Sequence, residues 1–229
     1  MKTAWLRKEG AEELLLFFNG WGMDEGIGTH LLGQTLSEEL TRDVLVCHDY
    51  RSLELEKVVQ DELYQYKQIT IVAWSFGVWV AQHTELPPIT RAIALNGTLY
   101  PVNAEKGIRP DLFEATLATF SEENRQRFNR RMCGSTEALS LFSAMAPDRA
   151  VEDQKEELAF LKEHFQVSGA TKAAWNYDHA IIGGKDLVFS AQQQYNAWAG
   201  TSRTVISDMP HFPFLHFRNL QEVVACIST

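Results

Sequence analysis

Cysteine is scarce, with only three in 229 residues. Cys47, Cys133 and Cys226 are scattered, and no Cys-x-x-Cys pair exists. That pattern gives neither a disulfide framework nor a zinc site and fits a reducing cytoplasm. Positive charge is short as well: 21 Lys and Arg stand against 30 Asp and Glu, a net charge of -9. Such a balance argues against nucleic acid or an anionic membrane as partner. Long apolar runs are missing. The longest near the start, Leu14 to Phe18, is too short to span a bilayer. Residues Met1 to Gly10 place charges on both sides of a short apolar stretch, unlike a signal peptide, so a cytoplasmic protein is expected. No Gly-x-Gly-x-x-Gly follows the first apolar run, which speaks against a nicotinamide cofactor. No two histidines share a ligand-like helical spacing with an acidic partner, which speaks against a metal. No cofactor is therefore expected. Repeats and low-complexity linkers are absent too.

What is present is an ordinary globular composition, 45% hydrophobic and 22% charged, enough to build a core without staples. Short apolar runs recur at Leu14 to Phe18, Val44 to Cys47, Ile69 to Trp74, Ala92 to Leu95, Ala180 to Ile182 and Thr204 to Ile206. Most are continuous rather than alternating, as strands covered on both faces read. Between them lie helical patterns over Gly28 to Leu40, Ser52 to Tyr66 and Phe76 to Glu85. The order predicts an α/β protein with a mainly parallel sheet. From Pro110 to Phe165 the strands stop. Helices are expected from Pro110, from a cap at Ser121 and from Asp148. Residues 110–165 thus read as a helical insertion within one domain spanning 1–229.

Ile69 to Ala81 reads as strand, abrupt turn, helix, and the turn is Ala73-Trp74-Ser75-Phe76-Gly77. A serine held in so sharp a turn has its oxygen exposed above the sheet, and small neighbours are needed because strand and helix nearly collide. Ser75 is the candidate nucleophile. The bland alternative is a serine that merely caps the following helix.

A nucleophilic serine needs a base, and the base an orienting acid. For a serine on such an elbow the chain order is serine, acid, histidine. Asp186 follows the strand-like Ala180 to Ile182 through Gly183-Gly184-Lys185, which places it at the carboxyl end of a sheet strand. His211 follows Thr204 to Ile206 in a loop stiffened by Pro210 and Pro213. Asp178 precedes its strand and so lies at the wrong end. Asp208 stands only three residues from His211. His216 falls in a possible helix, and the remaining histidines lack nucleophile-like neighbours, although His48-Asp49 follows a strand. Oxyanion donors are expected at the Phe76 amide, next to the nucleophile, and at the Trp21 amide in Asn19-Gly20-Trp21-Gly22. The Trp21 ring would form a pocket wall. Trp74, Phe76, Leu112, Phe113, Leu141 and Phe142 are further candidates for an apolar lining.

Together these motifs resemble the α/β-hydrolase superfamily across nearly the whole chain. More narrowly, the Asn-Gly-Trp-Gly loop, the Trp-Ser-Phe-Gly elbow and the compact size resemble the BioG-type pimeloyl-[acyl-carrier protein] methyl ester esterases of biotin synthesis. The resemblance implies hydrolysis of a methyl ester on a carrier-borne pimeloyl chain by Ser75, Asp186 and His211, with acyl carrier protein as partner. Asn19 stands where many hydrolases carry histidine, and Ala73 where glycine is commonest. Neither change removes a catalytic group.

An acidic enzyme and an acidic carrier repel each other globally. Arg125, Arg127, Arg130 and Arg131 lie within two helical turns and offer a local answer, since arginine suits carboxylate and phosphate. They are the candidate carrier-docking residues. The competing reading is a solvated helix face paired with Glu122 and Glu123. Two rival functions remain open: a general short-chain carboxylesterase or thioesterase, and a non-catalytic ligand-binding protein on the same scaffold. Equal rates on free and carrier-borne esters favour the first, and an unreactive Ser75 the second.

Overall fold

The computed structural model describes residues 1–36, 41–165 and 173–226. Its strands are β1 (Lys2–Arg7), β2 (Glu13–Phe18), β3 (Asp43–His48), β4 (Gln68–Trp74), β5 (Arg91–Leu95), β6 (His179–Gly183) and β7 (Ser202–Ile206). They form one seven-stranded sheet in the order β1-β3-β2-β4-β5-β6-β7. All neighbours are parallel except β1, which runs antiparallel to β3. The α/β architecture with a mainly parallel sheet is as the apolar runs predicted.

Those runs are continuous because both faces of the central strands are covered. Leu14, Leu16 and Phe18 of β2 enter the core on one face, and Leu15 and Phe17 enter the core on the other. On β4, Ile69, Ile71 and Ala73 likewise oppose Val72 and Trp74. Strand β1 was not foreseen. It is a half-buried edge strand bounded by Lys2 and Arg7, and it lacks the apolar run that marks a doubly covered strand.

The sheet is flanked by α1 (Gly26–Gly33), α2 (Lys57–Leu63), α3 (Gly77–His83), α8 (Ala191–Ala197) and α9 (Leu220–Ala225). The first three are shorter than the sequence patterns implied, and residues 37–40 of the first expected helix lie outside the described residues. Between β5 and β6 the described residues form four helices rather than three: α4 (Pro110–Thr119), α5 (Glu122–Cys133), α6 (Thr136–Ala144) and α7 (Val151–Phe165). Ser121 caps α5 as expected, accepting from the Asn124 N–H. The unforeseen α6 follows a reversal at Gly134 (φ 69°) and is capped by Ser135, which accepts from the Ala138 N–H. A C-terminal glycine in the left-handed region followed at once by a serine cap is a helix break with a stated mechanism. The helix expected from Asp148 begins at Val151.

The connection leaving β2 runs to β3 on one side, whereas β4 lies on the other. The loops after β2 and β4 therefore diverge and open a crevice at the carboxyl ends of the strands. Asn19 to Met23 and Ser75 sit at that switch point.

Candidate active site

Ser75 adopts φ 59°, a left-handed conformation that costs a non-glycine residue about 1–3 kcal/mol. The turn is held by packing that leaves no room for side chains. A Cβ on Gly77 would lie 2.5 Å from the carbonyl oxygens of both Phe18 and Asn19. A Cβ on Gly97 would lie 2.2 Å from the Ser75 backbone carbonyl oxygen. The Ser75 N–H donates to the Leu95 carbonyl at 3.0 Å, tying the turn to the end of β5.

The structure brings the three residues singled out from sequence into one line. His211 Nδ1 lies 2.8 Å from Asp186 Oδ2, and His211 Nε2 lies 3.0 Å from Ser75 Oγ. Because a carboxylate accepts, Nδ1–H donates to it, which leaves Nε2 to accept from the serine hydroxyl. The second Asp186 oxygen accepts from the Val188 and Phe189 amides at 2.7 and 2.8 Å. Gln194 Nε2 donates to Oδ2 at 3.0 Å. The imidazole is flanked by Phe189, whose ring stacks on it at 5.9 Å, and by Trp74 at 5.6 Å.

Asn96 holds this line from beneath and was missed from sequence. It is fully buried and also left-handed, with φ 46°. Its Nδ2 donates to the Pro210 carbonyl at 2.8 Å and to the His211 carbonyl at 3.0 Å. Its Oδ1 accepts from the Gly183 N–H at 2.7 Å. One side chain thus joins the histidine loop to the strand end that precedes Asp186. Trp74 Nε1 donates to the same His211 carbonyl at 2.9 Å. The one sequence signal was an asparagine directly after a buried strand, a residue type that tolerates the left-handed region.

Above Ser75 lies a small, mostly apolar pocket, lined by Trp21, Phe76, Phe113, Phe128 and Val188 among others. The Trp21 ring packs on Phe120 and Phe128 with centroids 5.0 and 5.5 Å apart, forming the expected wall. Trp74 and Phe113 also line it. Leu112 is instead 46% exposed. Leu141 and Phe142 belong to the core on the other face of the sheet, where Phe142 packs on Phe212. The missing periodic signal was α6, whose apolar side turns away from the pocket. Among the described residues, neither the Trp21 nor the Phe76 backbone N–H donates to a protein acceptor. Both residues line the pocket beside Ser75.

The weaker candidates lie elsewhere. Asp178 accepts from the Ala92 N–H at 2.8 Å, at the amino ends of the strands. Asp208 is an exposed partner of His216 at 3.5 Å. Burial holds His48 below its usual range, Glu25 at 3.5 Å opposing it. Burial pushes the Cys133 thiol up to about 12, and all three cysteines are free.

The four arginines of α5 are not equivalent. Arg125 is half-buried and bonds to the Arg149 carbonyl at 2.9 Å and to Glu122. Arg127 pairs with Glu123. Arg130 is exposed. Arg131 lines the pocket beside Ser75, with its guanidinium 5.5 Å from the Phe128 ring centroid. Burial lowers its pKa, and the Asp186 charge opposes that shift. Among the described residues, no group of three or more His, Cys, Asp and Glu is arranged to hold a metal ion. No helix among them is long and apolar enough to cross a membrane.

Residues 1–223 match the family model for pimeloyl-ACP methyl esterase BioG. The chain belongs to the BioG family. It superposes on the crystal structure of BioG from Haemophilus influenzae with a TM-score of 0.85, at 30% identity over 97% of this chain and 99% of that one. It is 41% identical over 191 residues to a Bacteroides fragilis malonyl-[acyl-carrier protein] O-methyltransferase, covering 82% of this chain. This chain spans only 36% of that relative's length. An Exiguobacterium antarcticum esterase aligns over 99% of this chain and 95% of its own with a TM-score of 0.69, and at 13% identity it shares the α/β-hydrolase fold alone.

Proposed function

We propose that the protein is a serine carboxylesterase that removes the methyl group from a pimeloyl methyl ester borne on acyl carrier protein. The observation that carries this reading is the hydrogen-bonded line from Asp186 through His211 to Ser75 beneath an apolar pocket. In this mechanism the Ser75 hydroxyl attacks the terminal ester carbonyl while His211 Nε2 takes its proton. Asp186 stabilises the resulting imidazolium and keeps the ring in the productive tautomer. The carbonyl oxygen gains a negative charge and is met by the Trp21 and Phe76 amides. Collapse breaks the bond to the methoxy oxygen, which takes the proton from His211 and leaves as methanol. Water then adds to the acyl-serine with His211 again as base. The serine leaves, and the free carboxylate remains on the carrier-borne chain.

Two names support the substrate class. The family is that of a pimeloyl-ACP methyl esterase, and a relative is named as an O-methyltransferase acting on malonyl-ACP. Both concern the methyl ester of a carboxylate held by acyl carrier protein. The pocket suits a methylene chain because its walls are aromatic and aliphatic. Arg127 and Arg130, exposed on α5, and Arg131, which reaches from the same helix to the pocket, are the proposed docking residues for the acidic carrier, with Arg125 bracing the helix from within. The free thiols suit the reducing cytoplasm in which we place the enzyme.

Methanol release from pimeloyl-ACP methyl ester tests the reading. The wild-type protein is expected to turn over and Ser75→Ala to be inert. A folded wild-type protein with no activity on this ester would overturn it. Equal efficiency on free dimethyl pimelate would point instead to a general esterase.

A further inference from the structure

The loop after β2 is held less by the sheet than by the helices above it. Gln154 of α7 donates through Nε2 to the Gly22 carbonyl at 2.8 Å, and its own carbonyl accepts from Trp21 Nε1 at 2.7 Å. One turn further on, Glu157 Oε2 accepts from the Gly22 N–H at 3.2 Å, and its Oε1 accepts from the Tyr50 N–H at 3.0 Å. Arg149, just before α7, pairs with Glu157 and donates to the Met23 carbonyl at 3.1 Å. Its second nitrogen lies 3.1 Å from Asp49 Oδ1. The side chains of Glu157, Asp49 and Arg149 are 0%, 2% and 7% exposed.

A charge network this dry is costly. Burial pushes the Glu157 carboxyl up against the opposing pull of Arg149. Apolar residues of like volume often serve stability as well as a buried ion pair, so such a network is weak evidence for a purely stabilising role. What it does supply is direction. Both Glu157 oxygens are spent on backbone N–H groups, and one of those groups belongs to the residue next to Trp21. The Gly22 backbone at φ 76° is gripped at both its N–H and its carbonyl.

We propose that Glu157 is a positioning residue for the oxyanion site, and that α7, with Gln154 as second contact, aims the Trp21 N–H at the carbonyl above Ser75. The proposal rests on the esterase reading. It assigns to the inserted helices a part in catalysis beyond covering the pocket. It also links α5 to the site, because Arg125 reaches Gln154 Oε1 at 3.4 Å.

Glu157→Gln tests the idea by setting an amide NH2 against one of the two backbone N–H groups. Gln154→Met, a milder change, deletes only the donor to Gly22. Rates are referred to the concentration of titratable serine, which removes the effect of unfolded protein. Outright loss of an oxyanion donor lowers kcat by about 10²–10³. A misaimed donor is therefore expected to cost roughly 10- to 100-fold in Glu157→Gln, and less in Gln154→Met. KM should stay within about twofold, since the ground-state ester hardly uses the donor. Affinity for a trifluoromethyl ketone, which forms an oxyanion on the serine, should fall in parallel with kcat. Wild-type kcat and ketone affinity per titrated site would overturn the proposal, even with a lowered melting temperature. If Glu157→Gln does not fold, Gln154→Met decides by the same readouts. If the wild-type protein cleaves no ester, the esterase reading fails. Hydrogen exchange at residues 19–24 then decides the clamp: faster exchange in both variants supports it, and unchanged exchange overturns it.

Discussion

Replacing Asn96 with alanine tests how far the geometry at Ser75 depends on one buried side chain. The change removes three hydrogen bonds, to Pro210, His211 and Gly183. The His211 carbonyl keeps Trp74 Nε1 as donor, but the Pro210 carbonyl and the Gly183 N–H each lose a partner next to the fully buried Asn96 position. A typical net hydrogen bond is worth about 1 kcal/mol, and a stranded buried group costs about 1–3 kcal/mol. Alanine adds about 1 kcal/mol for the left-handed backbone. The total is about 3–5 kcal/mol, which for a chain of this size lowers the melting temperature by roughly 10 °C. The loss is not only of stability. The His211 loop and the strand end before Asp186 are no longer held to each other, so the imidazole should sample positions out of line with Ser75. Calorimetry should show the lower midpoint. Ester hydrolysis per titrated serine should show a kcat reduced about tenfold or more, as expected when a group is misplaced by about 1 Å. A variant that melts within one or two degrees of wild type and keeps its kcat would refute the claim that Asn96 fixes the line.

Other perturbations separate the remaining parts of the account. Asp186→Asn keeps the volume but not the tautomer, and sets an amide NH2 against either Gln194 Nε2 or the Val188 and Phe189 amides, so kcat per titrated serine should fall about 10⁴-fold and the melting temperature should drop as well. Gly77→Ala drives a Cβ to 2.5 Å from two β2-end carbonyls, and soluble folded protein should be largely lost on expression. Burial raises the Asp43 carboxyl, but hydrogen bonds from the Glu9 N–H, the Tyr66 hydroxyl and the Gly10 and Ala11 N–H groups outweigh it and hold it below its usual range. Its folded-state value thus lies below the unfolded one. The stabilisation is complete above the unfolded carboxylate value and is lost as pH falls through the folded one, so Asp43→Asn should flatten the acid limb of a melting-temperature profile. Reversing the exposed Arg127 and Arg130 to glutamate, with Arg131 of the pocket wall left in place, should cut kcat/KM on the carrier-borne ester at low salt by about tenfold or more, with dimethyl pimelate unaffected.

The parts legible in the sequence were those with a local signature. Continuous apolar runs marked the doubly covered strands, and the Ala73 to Gly77 turn marked the elbow. Asp186 and His211 could be chosen because each follows a strand at the edge where parallel sheets build sites. The edge strand β1 was hidden by its flanking charges, and α6 by the brief Gly134-Ser135 break. Asn96 and Glu157 were unreadable for another reason. Their roles arise from partners 87 residues away at Gly183 and 135 residues away at Gly22, and beyond the position of Asn96 directly after a buried strand no local pattern announces them. The same holds for Leu141 and Phe142, whose apolar character said that they were buried but not on which side of the sheet.

The account stands on Ser75 being a nucleophile made reactive by His211, and fluorophosphonate labelling followed by peptide mass mapping asks this most directly. The account predicts one adduct on the peptide carrying Ser75, no adduct in Ser75→Ala and much slower labelling in His211→Ala. Folded wild-type protein that takes no label, or takes it on another residue, would contradict it.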